Sequence, residues 1–553
     1  LDSVVTTEKG SIEMKKHIMF IAMPTPVGFA NTLADVSFEQ IGLGYIASIL
    51  KQHGYEVFLF DAHSRELEES KIIEKIWECK PHILCLSPTY LSWDGTIKIL
   101  KGAKKINPRI QTILGGPHVS FEPVLSQALR RFDCIDYIIR GEGERIIIPV
   151  VENIDKKMIG NTLGVCYRKK DGTPHISDEL AEQVENLDEL PFPLKDIEPL
   201  SGKSVRITTS RGCYINGRGC SFCQMPAQNP HGWRCRSPEN VVDEIEFWAK
   251  KGHRSFVCAE GDFLGLSKHG IRRAGKIGEE ILRRNLDIRL RVFGGVPGII
   301  AAEKNGVLST LKKAGLERMY PGIEAGNEED LKLYEKNIAV SQIKMAVNIL
   351  RRRSICLQIG FIMFNPWSDS IRLKANVSLL KQIDQAHLWF NFAYRLGLFP
   401  GSRLLSKVFE KELVLKPIES VGLGSELVHN YRFKVPYVSR IADACAEILK
   451  AEAVIQVDRL LITAGVLTSD YTLYENSYPL DSCKSNIKRE YEKYKDVIAN
   501  LNTITFFRIL ELCERGDSDE KLKNFISSHL IKINEILPDI KKLCSGLINI
   551  QTK

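Results

Sequence analysis

Residues 204–224 read SVRITTSRGCYINGRGCSFCQ. A β-prone run from Val205 to Ser210 passes directly into a segment carrying Cys213, Cys220 and Cys223. The run reads as a strand, so the three thiols fall just beyond its carboxyl end, where a (β/α) barrel places its chemistry. Downstream, further apolar runs alternate with amphipathic stretches. They are SFVCAEGD (255–262), IRLRVFGG (288–295), the start of RMYPGIEAGNEEDLKLYEKN (318–337), CLQIGFIMFNPWSDS (356–370) and LGLFPGSRL (396–404). This alternation predicts a partial (β/α)6 barrel over residues 201–404, open at one side.

Upstream the same alternation has shorter units. HIMFIAM (17–23), YEVFLFDA (55–62), HILCLSP (82–88), IQTILGG (110–116) and IDYIIRGEGE (135–144) read as strands. Helical patterns separate them at 39–53, 66–79, 94–106 and 122–131. The fold class is therefore α/β, with a doubly wound, Rossmann-like parallel sheet over 17–155, whose ligand belongs beyond the carboxyl ends of the strands. None of the loops there has the G-x-G-x-x-G fingerprint or a P-loop, which argues against a dinucleotide or a nucleoside triphosphate. Residues 156–200 contain GVCYRKKDGTPHIS and the proline-bearing, acidic ENLDELPFPLKD, and read as a linker. Residues 1–16 are set aside as a disordered or added N-terminal stretch, with no apolar core of a secretory signal.

From about residue 405 to 553 the apolar residues recur at three- and four-residue spacing, for example in NIKREYEKYKDVIANLNTITFFRILELCERG (486–516). This predicts an α-helical C-terminal domain, either a cap over a substrate mouth or a dimerisation surface. The 553 residues suggest roughly three to four structural units. Hydrophobic residues make up 44% of the chain and charged residues 26%, and no long uncharged apolar stretch could span a bilayer. The net charge of +8 is spread over many amphipathic segments, which reads as a solvated surface and not a nucleic-acid groove. Most of the fourteen cysteines stand singly in apolar settings, such as Cys85, Cys356 and Cys445, and suit a reducing cytoplasm better than a disulfide framework. The group at 213–223 admits three readings. It could be an open three-thiolate iron–sulfur site, a zinc site completed by Cys235 or His231, or unrelated thiols.

Two sets of residues resemble a known family. The segment FEQIGLGYIASILKQHGYEVFLFDA (38–62), the turn Gly115-Gly116-Pro117-His118 and the turn at 141–144 occur in the order found in cobalamin-binding domains of radical S-adenosylmethionine (SAM) enzymes. TSRGC before the cysteines and WRCRSPENVVDEIEFW (233–248) after them resemble the flanks of the radical SAM cluster loop. That loop is normally C-x3-C-x2-C, with an aromatic residue before the last Cys, here Phe222. Six residues separate Cys213 from Cys220 in this chain, the extra ones lying in a glycine-rich piece. The resemblance implies that Cys213, Cys220 and Cys223 hold three irons of a [4Fe–4S] cluster, whose fourth iron chelates SAM. It also implies that Phe222, Glu260, Asp262, Arg291, Glu324 and Asn365 contact SAM. Glu324 would point to the ribose and precede a lysine-bearing helix, while Asn365 would replace a glycine beside adenine.

For cobalamin, the resemblance implies contacts from Thr25, Gly28, Asn31, Pro88, Thr89, Tyr90, Leu91, Trp93, Gly115, Gly116, Pro117, His118, Gly141 and Glu142. The first loop has no His, and His63 reads as a surface loop residue. The cobalt would thus lack a protein imidazole and face one of Thr89, Tyr90, Leu91 or Trp93. Withholding a ligand is one way for a protein to tune a metal cofactor. The implied activity is transfer of a methyl group from SAM, by way of methylcobalamin, to an unactivated carbon after hydrogen abstraction by the 5′-deoxyadenosyl radical. The alternatives are a radical cyclisation, ring contraction or oxidation with the same cofactors, polar methyl transfer, or a non-catalytic corrinoid or zinc regulator. Expected partners are a small-molecule or peptide substrate and an external electron donor such as flavodoxin or ferredoxin, with no membrane and no nucleic acid.

Overall fold

The computed structural model describes residues 4–6, 12–14, 16–25, 40–154, 162–196, 204–213, 218–258, 260–475 and 482–551. The first sheet has the spatial order Glu56–Asp61, His17–Ala22, Ile83–Leu86, Gln111–Leu114, Tyr137–Ile139, Val165–Arg168, Pro174–His175. Its first five strands are parallel. Side chains alternate across a strand, so both faces of the central strands can be apolar and both can be covered by helices. Met19, Ile21, Leu84 and Leu86 join one core with the helix Trp93–Ile106. Ile18, Phe20, Ile83 and Cys85 join another with the helix Ile41–Gln52. This is the doubly wound arrangement that the near-continuous apolar runs implied.

Two expectations about the edges of this domain need correction. The hairpin Val165–Arg168 and Pro174–His175, assigned above to the linker, adds two antiparallel strands to the first sheet, because Val165 and Cys166 pair with Ile139 and Ile138. Within residues 1–16, set aside as disordered, Val4–Thr6 pairs antiparallel with Ile12–Met14.

The second sheet is wholly parallel, in the order Val205–Ile207, Ser255–Cys258, Arg289–Gly294, Leu316–Glu324, Cys356–Leu357, with Gly360–Phe361 also pairing to Leu316–Glu324. Helices Pro238–Lys250, Lys268–Arg283 and Val340–Arg352 lie between the strands in sequence and bury Val241, Ile245, Ile277 and Leu350 against them. The cysteine segment lies at the carboxyl end of this sheet.

The C-terminal helices Tyr437–Lys450, Glu452–Glu475, Ser482–Glu514 and Asp519–Gln551 share one continuous core with the barrel, through Trp389, Phe392, Cys445, Phe506 and Ile526. Polar contacts fix the register. Asp458 accepts the backbone N–H groups of Trp389 and Phe390 at 3.0 Å each, and Asn502 donates to the carbonyls of Ala386 and His387. Ahead of these helices, Val421, Leu423 and Leu427 insert into the core of the first domain, where the His118 ring lies 2.7 Å from the Leu423 carbonyl. No helix among the described residues is long and apolar enough to cross a membrane.

Candidate active site

A cavity of about 390 Å³ opens at the carboxyl end of the barrel sheet. Cys213, Cys220 and Cys223 all line it. Two glycines permit the turns that carry them. At Gly212 (φ +85°) a Cβ would stand 2.0 Å from the Gly232 carbonyl, and at Gly219 (φ +54°) it would stand 2.3 Å from the Pro226 ring. Burial pushes the Cys220 thiol up to about 12 and raises Cys223 as well, and a neighbouring thiolate raises each further. A buried thiol gives up its proton more readily when a cation shares the site, as it does in an iron-binding set.

Among the described residues no three His, Cys, Asp or Glu side chains gather as a site for a metal ion. Three thiolates that each bind a different iron of one cluster need not converge on a point, so the shared cavity fits a cluster. Neither residue named as a fourth zinc ligand is at the site. His231 is paired with Glu185, and the Cys235 sulfur lies 4.0 Å from the His269 ring, with neither His231 nor Cys235 in the cavity wall.

Beside the thiols, Glu324 (φ +67°) directs its carboxylate to the Lys336 ammonium at 3.3 Å. Burial raises the Glu324 carboxyl and Lys336 opposes that rise. Gly322 clears the space for the pair, since a Cβ there would lie 2.7 Å from Glu324 Oε1 and 2.9 Å from Lys336 Nζ. Asp262 also lines the cavity, and burial pushes its carboxyl up to about 7. One of its oxygens accepts from the Gly295 N–H at 3.3 Å, while Oδ2 has no partner among the described residues. A buried acceptor with no partner is costly, so this atom suits a ligand donor. Phe222 packs edge-on against Tyr334 at 5.3 Å.

The other residues expected at SAM lie elsewhere. Glu260 is 4% exposed and accepts both the N–H and the hydroxyl of Thr209, tying two strand ends together. Arg291 is ion-paired with Glu317 near the opposite end of the sheet. Asn365 donates to the Tyr334 hydroxyl at 2.9 Å and accepts from the Trp367 N–H, so it supports Phe222 indirectly. None of these three lines the cavity. Lys336 was not singled out from the sequence, nor were Tyr320 and Phe293, which stack at 4.7 Å in the wall. Phe390, Tyr394 and Phe399 add further aromatic rings to the wall. Nothing in the periodicity of those segments distinguished a cavity wall from core.

At the first domain, Gly28 and Asn31 lie outside the described residues. Thr25 is at the carboxyl edge of its strand, where its N–H donates to His63 Nδ1 at 3.2 Å. Thr89 is exposed, Tyr90 and Leu91 are half-buried and Pro88 is buried. Tyr90 meets Phe399 of the cavity wall at 5.4 Å. Pro117 is exposed and Gly115 and Gly116 are half-buried at the next strand end, where a Cβ on Gly116 would strike the Ser87 hydroxyl at 2.2 Å. Small or exposed residues along this edge fit the approach of a broad planar ring.

Four of the residues expected at cobalamin are engaged within the protein instead. Trp93, 1% exposed, lies against His118 and Phe132, and burial pushes His118 down to about 4. Gly141 bridges to Ala181. Glu142 faces the cysteine segment, bonded to Arg211 and Arg234.

Family comparison agrees with this two-part geometry. Residues 32–149 match the B12 binding domain and residues 207–372 match the Radical SAM superfamily. The chain thus joins a cobalamin-binding domain to a radical SAM domain, and it is a cobalamin-dependent radical SAM enzyme. The first domain implies cobalamin, and the second implies a [4Fe–4S] cluster and SAM.

The chain is 27% identical over 413 residues to an uncharacterized methyltransferase of Pyrococcus horikoshii, covering 73% of this chain and 85% of that protein. It is 28% identical over 336 residues to the anaerobic magnesium-protoporphyrin IX monomethyl ester cyclase of Rubrivivax gelatinosus, covering 58% of each. In fold it resembles the cobalamin-dependent SAM radical enzyme OxsB, solved with aqua-cobalamin and SAM bound. The TM-score is 0.71 and the identity 17%, over 97% of this chain and 84% of that one.

Proposed function

We propose that this enzyme transfers a methyl group from SAM, by way of cobalamin, to an unactivated carbon from which the 5′-deoxyadenosyl radical has removed hydrogen. The reading is carried by one juxtaposition. The cavity that holds the three cysteines has Phe399 in its wall, and Tyr90 of the corrin-binding domain packs on that ring. When bound, the cluster supplies the electron that splits SAM and cobalamin carries the methyl group.

The chain's own residues hold and orient. Cys213, Cys220 and Cys223 are the cluster ligands, and the open acceptor of Asp262 takes a donor from SAM. Glu324 and Lys336 offer opposite charges to its polar groups, while Phe222 closes the site on the side of the cluster. Phe390, Tyr394 and Phe399 exclude water and receive an apolar face of the substrate, a small molecule or a peptide. Keeping a reactive carbon near the methyl donor and away from solvent is what proximity and desolvation contribute here. A soluble flavodoxin or ferredoxin supplies electrons. The reducing cytoplasm suits the free cysteines of the described residues.

The likeness to a cyclase supports a second reading, in which the same cofactors drive a radical reaction without methyl transfer. One experiment separates the two. Anaerobically reconstituted enzyme is given SAM with a deuterated methyl group, a reductant and a metabolite extract. Methyl transfer yields S-adenosylhomocysteine, 5′-deoxyadenosine and a product bearing the labelled methyl. A product that forms in step with 5′-deoxyadenosine but carries no label removes the methyltransferase reading in favour of the second.

A further inference from the structure

Six residues between the first two cysteines make a longer loop than the usual three, and a longer loop has more conformations to lose when it closes on a cluster. Two arginines grip this loop at its ends. Arg211 precedes Cys213 by two positions. Its Nη1 lies 3.2 Å from Glu142 and its Nη2 2.7 Å from Glu144, both in the corrin-binding domain, and its guanidinium stands 5.1 Å from the ring centroid of Tyr45. Glu142 also bonds Arg234 at 2.5 Å and accepts the Val184 N–H at 2.8 Å. Arg234 is the register partner of Arg211 in the antiparallel ribbon Ser210–Arg211 with Arg234–Cys235. One carboxylate therefore holds both strands of the ribbon that leads to the first cysteine.

The side chains of Arg211, Glu142 and Glu144 are only 15%, 11% and 5% exposed. In such surroundings removal of one partner leaves an uncompensated buried charge, so the group behaves as a unit. At the other end, Arg403 opens the helix Arg403–Glu410. It donates to the carbonyls of Arg218 and Gly219, the latter directly before Cys220, and pairs with Glu335 at 2.6 Å.

We propose that Arg211 and Arg403 are positioning residues that set the widened cluster loop from its two ends, and that Glu142 and Glu144 make the placement of Cys213 depend on the corrin-binding domain. This rests on the reading of Cys213, Cys220 and Cys223 as cluster ligands. The Gly-Glu-Gly-Glu turn is then a joint between domains.

The test uses full-length protein reconstituted anaerobically, with iron content and the electron paramagnetic resonance spectrum of the dithionite-reduced cluster read before and after SAM is added. Arg211→Gln and the pair Glu142→Gln with Glu144→Gln should each keep iron, shift the reduced-cluster spectrum and lose at least half of the SAM-induced change. Combining all three substitutions should be no worse than the Glu142/Glu144 pair, which already leaves Arg211 without its carboxylates. Arg403→Gln should add its own shift, and Arg211→Lys, which retains charge without the fork, should fall between wild type and Arg211→Gln.

Wild-type spectra in Arg211→Gln and in the Glu142/Glu144 variant would overturn the proposal, as would a triple variant clearly worse than the Glu142/Glu144 pair. If Arg211→Gln does not fold by circular dichroism, the Glu142/Glu144 variant and Arg211→Lys decide. A wild-type protein that binds no iron would instead overturn the cysteine assignment beneath it.

Discussion

Tyr90 of the corrin-binding domain packs edge-on against Phe399 of the barrel, with ring centroids 5.4 Å apart. Two residues far apart in sequence thereby join a loop of the first domain to the wall of the cysteine-lined cavity. An aromatic pair of this kind contributes about 0.5–1.5 kcal/mol beyond area burial. Tyr90→Ala should therefore leave iron content unchanged and admit water to the cavity. The amount of 5′-deoxyadenosine formed per product should rise by about 2- to 10-fold. Product and nucleoside measured in the same reaction give that ratio, and an unchanged value would remove Tyr90 from the wall.

The space beside Glu324 leads to a second expectation. In Gly322→Ala the new methyl group would stand 2.7 Å from Glu324 Oε1 and 2.9 Å from Lys336 Nζ, so one or both side-chain ends must move from their present positions. Loss of one charge-assisted hydrogen bond costs about 1.5–3 kcal/mol, which corresponds to roughly 10- to 150-fold weaker SAM binding. Equilibrium dialysis with radiolabelled SAM measures it on protein with full iron content. Wild-type affinity would show that Glu324 and Lys336 do not touch SAM.

Asp458 sets a pH dependence. Burial lifts its carboxyl to about 7, against hydrogen bonds from the Trp389 and Phe390 N–H groups that favour the ionised form. A carboxyl raised in the folded state takes up a proton that the unfolded chain releases near pH 4. Its contribution to stability is thus complete below about pH 4 and is lost as pH rises through about 7. The urea midpoint should fall between pH 5 and pH 8, and Asp458→Asn should flatten that slope while lowering stability at pH 5 by about 1–3 kcal/mol, because one backbone N–H loses its acceptor. An equal slope in both proteins would contradict the assignment.

His63 has its Nδ1 engaged by the Thr25 N–H at 3.2 Å and lies 3.4 Å from the Thr25 hydroxyl. The Co(II) form should show an electron paramagnetic resonance spectrum without nitrogen hyperfine splitting, and His63→Ala should leave it unchanged. A nitrogen-split signal lost in the variant would identify His63 as an axial ligand.

Much of this molecule was legible along the chain because its elements obey short-range rules. The apolar runs at 17–23, 82–88 and 110–116 enclose the strands His17–Ala22, Ile83–Leu86 and Gln111–Leu114. Residues buried on both faces leave little choice but a covered parallel strand. That Cys213, Cys220 and Cys223 line one cavity was also to be expected, since residues close in sequence stay close in space. What the tertiary structure alone decided depends on distant partners. Glu142 binds Arg211 and Arg234 in another domain, His118 turns into the core to meet Leu423, and Lys336 reaches Glu324 across a gap left by Gly322. Buried charges take whichever partner the packing presents, and residue type and spacing carry no record of that choice.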